Sequence, residues 1–330
     1  MKKIGFLYGK EMNFSTAVMQ KIQEKNISDL HVEKVVIGIL DTSSRAHYSV
    51  ILDRFSNSFD FYKYALTYFS QHGVKIVNNL GNRLFGDEFL YLTLFKKLKI
   101  NTPKTAIFPS KFLPHGVNGG DVHNLQYPLD WDKMFDTIGF PANIKSNHSN
   151  EFYDCFRIHN KQDFYFIYDM SGTSTLVLQE CIEAKANYRV FVVGEDALFL
   201  KYDLHKAPKD RYSVPESHPS KDVRNEVDKI VKLINKNFDA DMYILDIAVA
   251  DEIYVLNAST FFMDIDNLML DESTYQWLVG KTADLLVQLA GVEVKAAKAT
   301  TTTATTKETT TKAKTTSTKT ATSKKTKAAK

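Results

Sequence analysis

Residues 139–156 read GFPANIKSNHSNEFYDCF. The apolar run 140–144 is a short strand that ends on Lys145, an arrangement that brings a cation up to a phosphate. A phosphate-covering loop normally continues with glycines, which let the main chain approach the ligand closely. Here SNHSNEFYD follows instead, with Glu151 and Asp154 among its side chains. Ser and Asn still form anion-binding turns, so the loss of glycine does not exclude the geometry. His148 in this loop either donates to a phosphate oxygen or stands in solvent.

Toward the N-terminus, strands at 3–8, 31–39, 48–54 and 74–78 alternate with helices at 15–25 and 61–71, which predicts a parallel sheet flanked by helices. A helix over 87–99 follows, with Phe89, Leu90, Leu92, Leu94, Phe95 and Leu98 on its apolar side and Asp87 as its cap. After a strand at 104–108, residues 109–130 hold three prolines and three glycines and read as a long loop. Toward the C-terminus, a helix near 162–168 and a strand at 175–180 lead into a hairpin, 188–193 and 197–202, that turns at Gly194 and Glu195. Helix 221–238 carries Val223, Val227, Ile230, Val231 and Ile234 on one stripe. Strands 242–248 and 253–256 flank a turn at Asp251 and Glu252, and a last helix spans 277–289.

The 330 residues are 44% hydrophobic and 25% charged, an ordinary balance for a globular protein of enzyme size. The net charge of +3 hides two regions. Residues 295–330 hold ten lysines and one acid, a net +9, which leaves 32 basic and 38 acidic side chains, or −6, for the rest. That lysine-, threonine- and alanine-rich segment has no aromatic or large aliphatic residue, so it is expected to be disordered. It either contacts nucleic acid weakly and non-specifically through phosphates or serves only as a solubilising appendage. Its composition resembles the tails of histone-like bacterial proteins.

The opening MKKIGFLYG reads as a strand rather than a secretory signal, and no apolar run approaches a membrane span, so a cytoplasmic location is expected. Cys155 and Cys181 have no CxxC or paired-His context, which argues against zinc; two buried thiols are favoured over a disulfide.

Three segments in order, GFPANIK (139–145), LVLQECIEAKANYRVFVVG (176–194) and LDIAVADEIYVLNAST (245–260), resemble the ATP-grasp superfamily, particularly its RimK-like and glutathione synthetase-like branch. The resemblance implies an α/β and α+β architecture. A βαβ pre-ATP-grasp domain would span 1–100, and two lobes would clasp a nucleotide, a small one over 101–182 and a large one over 183–290. It also implies an ATP-dependent ligase that joins a small-molecule or peptide carboxylate to an amine or thiol through an acyl phosphate.

By the same resemblance, Lys145 contacts the ATP phosphates, and Gln179, Glu180, Cys181 and Ile182 form the hinge that pairs with adenine. Glu183 lies where a ribose-binding acid often sits. Arg189 matches an arginine near phosphate or substrate carboxylate, and Lys201 would add to its positive face. Asp246 and Asn257 fall at the magnesium site.

The pattern also departs from the family. Asn257 or Val255, depending on strand register, takes the place of a metal-binding carboxylate, which weakens a site that favours hard anionic oxygens. Asp264 or Asp266 would have to compensate. Glu88 stands where relatives commonly carry a phosphate-binding lysine. A second reading therefore stands beside the ligase: a degenerate ATP-grasp protein that acts as a nucleotide-binding regulator or scaffold.

Overall fold

The computed structural model describes residues 1–77, 86–148, 155–203, 206–207, 210–213, 219–260, 265 and 270–292. Glu151, Asp154, Asp264, Asp266 and the lysine-rich segment 295–330, with the nucleic-acid contact expected of it, lie outside the described residues.

The first sheet is parallel, in the order β2-β1-β3-β4, with β1 at Lys2–Leu7, β2 at Leu30–Lys34, β3 at Val50–Asp53 and β4 at Lys75–Ile76. Both faces are covered, as expected of a parallel sheet. Along β3, Val50 and Leu52 pack toward helix α1 (Asn13–Glu24), while Ile51 packs toward helix α2 (Asp60–Gln71) with Leu66 and Phe69. Residues 35–39, expected to extend β2, fall outside it; only Val35 among them is buried.

The small lobe is an antiparallel sheet in the order β5-β8-β6-β7: β5 Thr105–Phe108, β6 Ala142–Ser146, β7 Phe156–Ile158 and β8 Leu176–Glu180. One face buries Ala142, Ile144, Leu176 and Leu178 against helices α4 (Trp131–Ile138) and α5 (Lys161–Met170), through Phe135, Phe164 and Tyr168. Alternation along β6 puts Asn143 and Lys145 on the other face. That face meets the large lobe, because Gln179 Nε2 donates to the Leu256 carbonyl.

The large lobe is an antiparallel sheet in the order β11-β10-β9-β12-β13, with β9 Ala186–Val193, β10 Asp196–Tyr202, β11 Tyr212–Ser213, β12 Met242–Val249 and β13 Ile253–Ser259. Val190, Val192, Tyr243, Leu245 and Ile247 pack on helix α6 (Lys221–Phe238), and helix α3 (Glu88–Lys97) adds Tyr91, Leu92 and Phe95 to the same core. On α3, Tyr91 is buried and Leu90 is 42% exposed, the reverse of the apolar pattern read from the sequence. The difference follows from Tyr91 pointing its hydroxyl at Asn257.

The opposite face of this sheet, through Phe191, Val193, Met242 and Ile244, shares a core with β1, β3, α1 and helix α7 (Glu272–Leu289). The N-terminal sheet and the large lobe thus pack around one helix rather than meeting as separate bodies.

Asp87 caps α3, accepting from Leu90 N at 3.0 Å. Asp87→Ala should cost about 1 kcal/mol in denaturant unfolding, the usual worth of such a cap. An unchanged midpoint would mean that Asn147, which also caps this end, suffices alone.

Candidate functional site

The residues singled out around the lobe junction form two linked ion pairs. Lys145, on the junction face of β6, meets Glu88 in the first turn of α3, Nζ to Oε1 at 2.5 Å, with both side chains nearly buried. Burial alone would lower the Lys145 ammonium, but Glu88, Cys155 and Asp246 more than offset it, and its pKa rises. Burial pushes the Glu88 carboxyl up and Lys145 draws it back, while Asp246 and Asp87 add to the rise. Gln179, also buried, sets its amide within 3.4 Å of both Glu88 Oε1 and Thr105 Oγ1.

The N-terminus of α3, where backbone N–H groups could otherwise receive an anion, is occupied by the chain itself. Glu88 N donates to the Asn147 carbonyl at 3.0 Å and Phe89 N to Asn147 Oδ1 at 2.9 Å. His148 is tied nearby, its Nδ1 3.1 Å from the Gly86 carbonyl oxygen.

The second pair lies across the large-lobe sheet. Arg189 on β9 sits opposite Asp246 on β12 and donates to both carboxylate oxygens, Nε to Oδ1 at 2.6 Å and Nη2 to Oδ2 at 2.8 Å. Nη1 donates to Tyr212 Oη at 2.7 Å, and the guanidinium lies 3.6 Å from the Tyr202 ring centroid. Burial disfavours this cation, yet Asp246 and the two phenols hold its pKa well above the ordinary value. Both hydrogen bonding and stacking suit the planar guanidinium.

Asn257 ties the second pair to helix α3. A bulge between Asp246 and Ile247 sets Asn257 directly opposite Asp246 and Val255 opposite Ile247, in the α6-side core. The strand pairing thus places Asn257, and not Val255, beside Asp246. Asn257 Nδ2 donates to Asp246 Oδ2 at 3.0 Å, and its Oδ1 accepts from Tyr91 Oη at 2.8 Å.

These residues do not fit a magnesium ion. Asp246 already accepts from a bidentate guanidinium and an amide, so a cation there would lie against a positive group, and Asn257 turns its nitrogen toward the acid. Among the described residues no three His, Cys, Asp or Glu side chains gather as metal ligands.

The remaining expected site residues are dispersed. Lys201 pairs with Tyr188 across the hairpin while Leu200 pairs with Arg189, so Lys201 is exposed on the sheet face away from Arg189 and adds nothing to its cluster. Glu180 accepts from Lys104 N at 2.7 Å and ion-pairs with Lys104 Nζ at 3.6 Å. Cys181 N donates to the Pro141 carbonyl at 3.4 Å, whereas Ile182 and the exposed Glu183 make no hydrogen bond among the described residues. Both thiols are free; burial pushes Cys155 up to about 11 and also raises Cys181, so neither is poised as a thiolate.

Asn147, Tyr91, Tyr202 and Tyr212 were not legible as site residues. One signal was available for the second pair. The apolar strands NYRVFVV and MYILDIAV are each interrupted by a single charge, and the charges are opposite. A charge inside a buried strand needs a partner.

A parallel N-terminal sheet followed by two antiparallel-sheet lobes is the ATP-grasp fold, and this chain has it. Its structure is similar to that of a RimK domain ATP-grasp protein from Sphaerobacter thermophilus, with 14% identity over 86% of this chain and 99% of the other and a TM-score of 0.59. It is also similar to D-alanine–D-alanine ligase from Bacillus anthracis complexed with ATP, with 13% identity, coverage of 88% and 97% and a TM-score of 0.60. A third likeness is to a RiPP-associated ATP-grasp ligase from Chryseobacterium gregarium in complex with ADP and a leader and core peptide, with 14% identity, coverage of 87% and 97% and a TM-score of 0.57. No protein-family model and no curated protein matches the sequence. No helix among the described residues is long and apolar enough to cross a membrane.

Proposed function

We propose that this chain is an ATP-grasp-fold protein that binds a nucleotide between its lobes without transferring its phosphate, serving as a nucleotide-binding regulator or scaffold. The observation that carries this reading is the pairing of both cations expected to face phosphate. Lys145 is bound to Glu88, and Arg189 is bound to Asp246, the acid expected to hold magnesium. Phosphoryl transfer is accelerated by positive charge preorganised where negative charge develops, and in this cleft that charge is already cancelled.

The ligase reading is supported by the fold likeness to two ligases whose structures contain ATP or ADP. In that reading Lys145 and Arg189 meet phosphate or carboxylate, 179–183 hold the base and ribose, Asp246 and Asn257 take magnesium, and a carboxylate and an amine are joined. It requires both ion pairs to open.

Full-length protein incubated with ATP, magnesium and pooled amino acids should form no ADP above the protein-free rate. Magnesium-dependent ADP formation that disappears in Lys145→Ala would overturn the proposal in favour of the ligase. Glu88→Gln removes the carboxylate that occupies Lys145 and should tighten binding of inorganic triphosphate about tenfold, equivalent to about 1.4 kcal/mol.

A further inference from the structure

Helix α2 has two apolar sides. Leu66 and Phe69 pack inward on the first sheet. Phe61, Tyr64 and Tyr68 recur at spacings of three and four and so share a different stripe, along the side of the helix. Phe61 is 37% exposed and Tyr64 68%, and Phe59, which precedes the helix, is 52% exposed. The Phe59 ring lies 5.9 Å from Phe61 and 5.3 Å from Tyr62 between centroids, so the stripe begins in a packed cluster of rings. The segment after β2 widens this surface. Ile37 and Leu40 pack into the core beneath α2, while Val36 is 82% exposed and Ile39 fully so. The loop continues against the stripe, because Tyr68 Oη donates to the Thr42 and Ser44 carbonyls at 3.0 and 2.9 Å.

A single exposed isoleucine or tyrosine needs no explanation, but five large apolar side chains on one side of one lobe do. At about 150–200 Å² for each side chain, their exposed fractions amount to roughly 500–650 Å², the upper end of what a monomer leaves open. Two such patches face to face would bury roughly 1,000–1,300 Å², which reaches the lower bound of a specific interface. The charges beside the stripe are of both signs, Asp60 with Lys63 on α2 and Asp41 with Arg45 on the loop. A balanced rim complements its own image, whereas a strongly acidic or basic partner finds no matching field here. After Val294 the sequence has no aromatic or large aliphatic residue, so the chain's own lysine-rich segment offers nothing apolar to cover this face.

We propose that α2 and residues 36–40 form the interface of a homodimer, an isologous contact in which Ile39, Phe61 and Tyr64 pack against the same surface of a second copy. Side chains spaced one turn apart on α2 interdigitate with those of its mate, as ridges and grooves of paired helices do. The α2 side of the first sheet is opposite the side that shares a core with α1, α7 and the large lobe. A second copy seated on α2 therefore approaches from the side away from the large lobe.

Sedimentation velocity of the full chain, over a concentration range of about 1–200 µM, tests this. Wild type should pass from monomer to dimer with a midpoint of about 10 µM, as suits an interface at the small end of the range. Ile39→Asp combined with Tyr64→Glu should weaken association at least about hundredfold. Its melting temperature at the lowest concentration should match wild type, because both side chains are exposed. Phe166→Glu, an exposed aromatic on α5, should leave the midpoint unchanged. A wild-type chain that stays monomeric over the whole range overturns the proposal and leaves the α2 face to a different partner. A dimer that survives Ile39→Asp with Tyr64→Glu, or one that is lost in Phe166→Glu, overturns it by placing the contact elsewhere.

Discussion

Replacing Arg189 with methionine should lower stability by about 3–5 kcal/mol, the cost of leaving a buried charge without its partner. Among the described residues, the amide of Asn257 would then be the one hydrogen-bond donor left to Asp246, in a site walled by Tyr202 and Tyr212. Replacing both charges, Arg189→Met with Asp246→Leu, should recover most of the loss, because a packed apolar pair is often no less stable than a buried ion pair. Urea unfolding of the two single variants and the double variant measures this as a double-mutant cycle. Additive losses would mean that the guanidinium and the carboxylate are not coupled in solution, contrary to their bidentate geometry.

The second large effect is pH-dependent. In Lys145→Met, Glu88 remains buried without the cation that draws its pKa down, while burial, Asp246 and Asp87 still push it up. A carboxyl whose folded pKa lies above its unfolded value favours the fold when protonated, so its contribution is present at low pH and lost as pH rises through the folded value. Lys145→Met should therefore lie close to wild type near pH 4.5 and fall about 3 kcal/mol below it at pH 8. Adding Glu88→Gln should flatten the difference. A deficit independent of pH would show that the lysine acts by packing alone.

Much of this architecture can be read along the chain because it is local. Helix α6 spans 221–238 as its apolar stripe and Ser220 cap require, and the hairpin of β9 and β10 turns at a glycine with positive φ, Gly194. Two-residue β11 carries too little periodicity to be read, although its Tyr212 supplies a wall of the arginine site. The site itself was half legible. Lys145, Arg189, Asp246 and Asn257 stand out as polar residues in apolar strands, but their partners depend on strand register and lobe packing. Glu88 is 57 residues from Lys145, and reading it only as an anion in place of a cation misses that it neutralises the lysine. The bulge that brings Asn257 rather than Leu256 opposite Asp246 has no glycine or proline to announce it.

The most direct test of the central claim, that the cleft's charges are spent on one another, is the magnesium dependence of ATP binding to the full chain. Titration in EDTA and in millimolar magnesium should give the same affinity within about twofold, since neither Asp246 nor Lys145 is available to metal or phosphate. Tightening of tenfold or more by magnesium, abolished in Asp246→Asn, would contradict the account and restore the metal-dependent ligase.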